Sequence, residues 1–407
     1  FYAGARYRGT FASSIQENFM NDKELFNQLV RIRRQIHQNP ELGNEEFKTA
    51  ALVEKVLRSL KIPGKRVSRT GVVAHWGSAS GPCIALRADM DALPLTEKRA
   101  LSYRSKTPGV MHACGHDAHV AMLLGAAMIL SENKNLRGTV KFMFQPNEEG
   151  AGGAKGLIAG GAMKNPRPEA VFGLHVNPRL APGKVGLKHG VLMASVDRFE
   201  IEVIGKGGHA AYPHEGRDAV VIASEIVQAL QTIHSRNLDP LEPAVVTVGT
   251  VNGGTRFNIL AEKVVMTGTV RTLSEEWHKK IPVRIREIAD GVARAHGARA
   301  VVRYEVIGSV LSNDEKMMNL AEKTAVRLFG AKSIEKLTRA SMGGEDFSEY
   351  LRVAPGCFIY IGTGSSSRNR LVPWHHPEFD LDERALPVGA KLLAGMAQDF
   401  LNGGGAK

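Results

Sequence analysis

The chain of 407 residues is long enough for two domains, at least one with a large core. Its 43% hydrophobic and 23% charged residues are ordinary globular values, and no apolar run nears the roughly 18–20 residues of a membrane span. Lys and Arg number 53 against 41 Asp and Glu, a net charge of +12; with no dense basic block and no interleaved aromatics, this argues against nucleic acid and leaves a basic surface or a carboxylate-bearing substrate.

Phe1–Phe19 hold no apolar h-region, so no secretory signal is expected there. From 21 to 39, Asn21 and Asp22 precede Leu25, Leu29, Ile32 and Ile36, a helical spacing closed by Pro40. A second helix is expected from Glu45 to Leu60, before Pro63-Gly64. Short apolar runs then read as buried strands: Cys83 to Asp89, Thr139 to Phe144, Ala170 to His175, and Cys357 to Gly362. Helical patterns between several of them imply an open α/β sheet. Asp89-Met90-Asp91, Glu148-Glu149 and His175 fall at or just past the ends of three runs, where such sheets gather ligands.

The middle of the chain changes character. Strands are expected at Arg198–Ile204, Ala244–Val251, Lys263–Thr272 and Ala298–Val306, with helices over 216–235 and Ser274–Ala295. The order βαββαβ describes a ferredoxin-like unit. It divides the chain into a metal-binding domain over 1–195 and 310–407 and an inserted domain over 196–309.

Met111 to His119 is the chemically densest stretch, with Cys114, Asp117 and three histidines, followed at once by an apolar helix from Val120 to Leu130. Gly115 permits a sharp turn that converges Cys and His side chains at the helix start. Thiolate and imidazole favour a transition metal. No further cysteine lies near enough for a four-ligand zinc knot, so the other ligands come from far along the chain, as in catalytic sites. Cys83, Cys114 and Cys357 are odd in number and scattered, which points to a reducing, cytoplasmic setting. Adjacent Glu148 and Glu149 read either as a solvated pair or, at a buried strand end, as one metal ligand beside one proton carrier. Taken singly, His175 reads as a core histidine, Trp374-His375-His376-Pro377 as a surface turn, and Gly343 to Phe347 as a helix start.

The ordered set of motifs resembles the metal-dependent amidohydrolases of peptidase family M20, in the branch of hippurate hydrolases, N-acyl amino acid aminoacylases and plant auxin-conjugate hydrolases. The resemblance runs from Arg34 to Leu42 through Arg87 to Pro94, Met111 to Asp117, Gln145 to Glu149, Gly173 to Val176, Gly207 to His214 and Met342 to Phe347, ending at His375-His376-Pro377. It implies an open mixed sheet with flanking helices, a zinc-peptidase-like catalytic domain, carrying an inserted ferredoxin-like α+β lid and dimerisation domain. It also implies two divalent metal ions, manganese or zinc with cobalt or nickel as alternatives, on Cys114, His116, Glu149, His175 and His375. Glu148 would be the general base and Asp89 would orient a ligand. Arg87 stands where the wider superfamily has a ligand histidine. His209 would stabilise the oxyanion, often from the partner subunit of a homodimer or tetramer, and Asn258 and Arg271 would bind substrate. The implied reaction is hydrolysis of N-acyl or N-aroyl amino acids. A dipeptidase, a hydrolase of another small amide, or a non-catalytic metal-dependent binding protein are the alternatives.

Overall fold

The computed structural model describes residues 21–78, 80–364 and 371–404, so Phe1–Phe19 lie outside the described residues. Four strands, Thr139–Gln145, Cys83–Asp89, Ala170–Asn177 and Gly356–Gly362, run parallel and side by side in that order. Nearly every residue in them is buried, as expected of strands covered on both faces. The antiparallel pair Gly64–Val67 and Gly71–Gly77 extends one side, and Val185–Leu187 and Ile334–Lys336 extend the other, giving a mixed sheet of eight strands. The outer strands are short or partly exposed, so hydropathy alone does not announce them.

The helix His116–Glu132 is buried from His116 to Leu130. It is apolar all round because it lies between the sheet and two other helices, Asp22–His37 and Leu386–Asp399. Gly125 allows that close approach: a Cβ there would stand 2.7 Å from Leu29 Cδ2 and 2.8 Å from Ala390 Cβ. The first helix starts where the sequence implies, with the Asn21 side chain accepting from Lys23 N at 3.1 Å.

A separate antiparallel sheet has the order Ala244–Gly253, Lys263–Thr272, Val196–Ile204, Arg299–Gly308. Helices Ala219–Leu230 and Glu275–Ala295 cover it, completing the βαββαβ order. Alternation in Val196–Ile204 turns Phe199, Ile201 and Val203 into a core of their own with Ile222, Ile226, Ile281 and Ile285. The join to the larger sheet is fastened at several points. Ser195 N donates to Thr272 O at 2.9 Å, and Lys155 Nζ donates to Val306 O and Ile307 O at 3.1 and 2.8 Å. Among the described residues no helix is long and apolar enough to cross a membrane.

In the smaller unit, Asp197 accepts from Tyr304 Oη at 2.9 Å and faces His278 Nε2 at 2.9 Å. The hydrogen bond to Asp197 raises the His278 pKa above its ordinary value, against the opposing effect of burial. A raised folded-state value means that stabilisation is full below the unfolded value of about 6.5 and is lost as pH rises through the folded one. His278→Gln should therefore lower the unfolding temperature most at acidic pH. Thermal unfolding followed from about pH 6 to pH 9 should show the gap to the parent closing.

Candidate metal centre

The site lies beyond the carboxyl ends of the parallel strands, as the sheet type dictates. Gly115 caps the helix His116–Glu132 with φ +97°, a left-handed conformation that disfavours other residues. A Cβ there would also lie 2.4 Å from Val176 Cγ2. This turn sets Cys114 and His116 beside His175 from the neighbouring strand, with Cys114 Sγ 3.4 Å from His175 Nε2.

His116 and His175 are each oriented through the Nδ1 of the ring. His116 Nδ1 is 2.9 Å from Asp91 O and 3.2 Å from Asp91 Oδ1. His175 Nδ1 is 2.8 Å from Val176 O. With Nδ1–H donating in both cases, both Nε2 lone pairs are left for a cation. His116 Nε2 and Glu149 Oε1 are buried without a partner in hydrogen-bond geometry among the described residues. Asp91 also accepts from Glu149 N at 2.9 Å. His375, at φ +59°, donates its backbone N–H to Ala113 O at 2.9 Å and brings Nε2 to 3.2 Å from Glu149 Oε1. The His376 ring instead accepts from Glu378 N at 3.1 Å.

Ligand-competent atoms of Cys114, His116 and His175 fall within 4.8 Å of one another, and so do those of Cys114, Glu149 and His375. The two trios share only the Cys114 sulfur. Orphaned buried nitrogen and oxygen atoms and a mixed thiol, imidazole and carboxylate set suit transition metals. Burial pushes the Cys114 thiol well above its ordinary value, and a neighbouring cation reverses that preference.

Glu148 Oε2 lies 3.9 Å from His116 Nε2, and its carboxyl also approaches Glu345 and Asp346. Burial, with those two acids, raises its pKa well above the ordinary carboxylate range. Arg87 supplies the counter-charge behind them. Its buried guanidinium reaches Asp89 at 2.7 Å, Glu345 at 2.9 Å and Asp346 at 3.0 Å. Even so, burial pushes Glu345 up to about 8 and Asp346 to about 6.

The structure thus gathers Cys114, His116, Glu148, Glu149, His175 and His375. A cavity of about 600 Å³ is lined by all of these except His116, and also by Arg271, Tyr360 and Trp374. It does not bring His209 or Asn258 there. Those two stand together on the smaller unit, where Ala210 N donates to Asn258 O at 3.2 Å beside the short pairing of Gly208–His209 with Ile259–Leu260. Asp89 lies 3.9 Å from His116 and makes its short contact, 2.6 Å, with His119 Nδ1, while Asp91 takes the His116 Nδ1 position. The signal of Asp91 in the sequence is its place just past the strand end.

Fold and site together define a metal-dependent amidohydrolase. The family model described as peptidase family M20/M25/M40 matches residues 85–399, and the chain belongs to that family. It is 43% identical over 391 residues to the N-acetyl-L-cysteine deacetylase of Bacillus subtilis, covering 95% of this chain and 91% of the relative. It is 39% identical over 384 residues to IAA-amino acid hydrolase ILR1-like 4 of Arabidopsis thaliana, covering 93% and 87%. The crystal structure of a dinuclear metal-binding M20 peptidase from Bacillus subtilis matches with a TM-score of 0.82 at 37% identity, covering 94% and 99%.

Removing the Arg87 charge leaves buried acids uncompensated, a loss of about 3–5 kcal/mol for a broken buried ion pair. Arg87→Met should lower the urea midpoint accordingly. A midpoint equal to the parent's would show that the acids are held by other means.

Proposed function

We propose that the protein hydrolyses the amide bond of N-acyl or N-aroyl amino acids, releasing a carboxylic acid and a free amino acid. The observation that carries this reading is the pair of ligand trios joined at Cys114 with the spare carboxylate of Glu148 beside them. The names of the deacetylase and auxin-conjugate relatives support the substrate class.

In this reading Cys114, His116, Glu149, His175 and His375 hold two divalent ions, and the donor set suits manganese, zinc, cobalt or nickel. When bound, such ions polarise the amide carbonyl and lower the pKa of water. Glu148 accepts a proton from the attacking water as its oxygen bonds to the carbonyl carbon, then delivers that proton to the nitrogen as the C–N bond breaks. Asp91 keeps His116 in the tautomer that presents Nε2. Arg271, at the cavity wall, grips the substrate carboxylate in the two-pronged manner of guanidinium groups.

The unit over 196–309 serves as lid and as the interface of a homodimer or tetramer. Exposed Leu241, Val251, Phe257 and Ile259, and the open edge of Ala244–Gly253, support that assembly. In it His209 and Asn258 of one subunit would serve the cavity of the other, with His209 at the oxyanion. The three free cysteines support a cytoplasmic setting.

Chelated enzyme should be silent, and manganese or zinc should restore release of a free amino acid, read by mass spectrometry over N-acyl, N-aroyl and dipeptide substrates. Preferential release from dipeptides would replace the acyl reading with a dipeptidase. Glu148→Gln should cut turnover by at least about 10²–10⁴-fold while bound metal is unchanged. Parental turnover in that variant would remove Glu148 from its role.

A further inference from the structure

His119 sits one helical turn beyond His116, fully buried, with its ring 4.5 Å from that of His175 and 5.4 Å from that of His116. Its ligand-competent atoms lie within 4.8 Å of those of Asp89 and His116, so it is within reach of a cation. Both ring nitrogens are nonetheless engaged. Val176 N donates to His119 Nε2 at 3.0 Å, which fixes the proton on Nδ1, where Asp89 Oδ1 accepts at 2.6 Å. Asp89 is in turn held by Arg87 at 2.7 Å.

The reason that Val176 N–H needs such a partner lies in the sheet. The strand Cys83–Asp89 pairs with Ala170–Asn177 only as far as Gly173. Beyond that point Cys83–Asp89 runs on to Asp89, but among the described residues it forms no further ladder with Ala170–Asn177, and a buried N–H without a partner is costly. His119 supplies the acceptor that the ladder does not. The residue it holds is the one whose carbonyl fixes the His175 ring, since Val176 O accepts from His175 Nδ1 at 2.8 Å and from Trp374 Nε1 at 3.0 Å.

We infer that His119 is a positioning residue, not a ligand: through the Val176 backbone it sets where His175 presents Nε2 to the metal position shared with Cys114 and His116. This rests on the two-metal reading above. Side chains that orient metal ligands are generally worth 10–100-fold in affinity.

The test is zinc binding alone, by equilibrium dialysis against a competing chelator, on the parent, His119→Ala, His119→Gln, His119→Asn and His175→Ala. The parent should bind two zinc ions; one or none would sink the two-metal reading itself, separately from the role of His119. His119→Ala should bind one ion as the parent does and the second about 10–100-fold more weakly. His119→Gln, whose terminal amide oxygen reaches the Val176 N–H, should recover most of that loss, whereas His119→Asn, which reaches only Asp89, should not. Parental affinity for both ions in His119→Ala would overturn the inference. So would a His119→Gln variant as defective as His175→Ala, which would make His119 a ligand, or recovery by Asn and not Gln, which would place the effect at Asp89. Should the Ala variant fail to fold, the Gln and Asn pair carries the same decision.

Discussion

The guanidinium of Arg87 is the charge on which the catalytic core depends. Three carboxylates converge on it from a strand end and from a loop far along the chain, and all four side chains are withdrawn from water. Desolvation on that scale costs several kcal/mol per ion and is tolerated only where geometry returns most of it. Here the returns include Gln145, which accepts from Arg87 Nε at 2.8 Å and donates to Asp346 at 2.7 Å. Asp346 then accepts from Ala154 N at 3.0 Å, at the start of the helix Gly153–Ala159.

The loop carrying Glu148 and Glu149 is consequently clamped along its length by acids accepting its N–H groups. Glu46 takes Asn147 N at 2.9 Å, Asp91 takes Glu149 N at 2.9 Å, and Asp346 takes Ala154 N. In the role proposed for Glu148, a proton carrier works only at a fixed distance from its target, which this rigidity would supply. Lys155 extends the same loop system to the last strand of the smaller unit through Val306 and Ile307. The smaller unit is thereby tied to the segment that carries Glu148 and Glu149.

Much of this was legible in the sequence, for a chemical reason. Metal-competent residues are few in type, and Cys114, His116, Glu149 and His175 fall at strand or helix ends where such residues are rarely left without purpose. The smaller unit was legible because alternation in Val196–Ile204 and helical spacing in Glu275–Ala295 differ cleanly in period. In the sequence Arg87 stood out only as the residue in place of the superfamily's ligand histidine, since its partners Glu345 and Asp346 meet it through tertiary packing. The part played by His119 depends on two parallel strands parting before either ends, a divergence that residue patterns do not carry. Nor does the sequence say that His209 and Asn258 stand apart from the cavity of their own chain.

The order in which the sheet is assembled has a consequence for biosynthesis. Ala170–Asn177 leaves the ribosome long before Gly356–Gly362, its parallel neighbour, and the whole of the smaller unit emerges between them. That unit has a core of its own and connections closed locally, so it folds while the larger sheet still lacks a central strand. Until about the last eighth of the chain arrives, the His175 strand presents an open, apolar edge, the kind of surface that pairs with other nascent chains. The interval favours slow, assisted folding of the catalytic half.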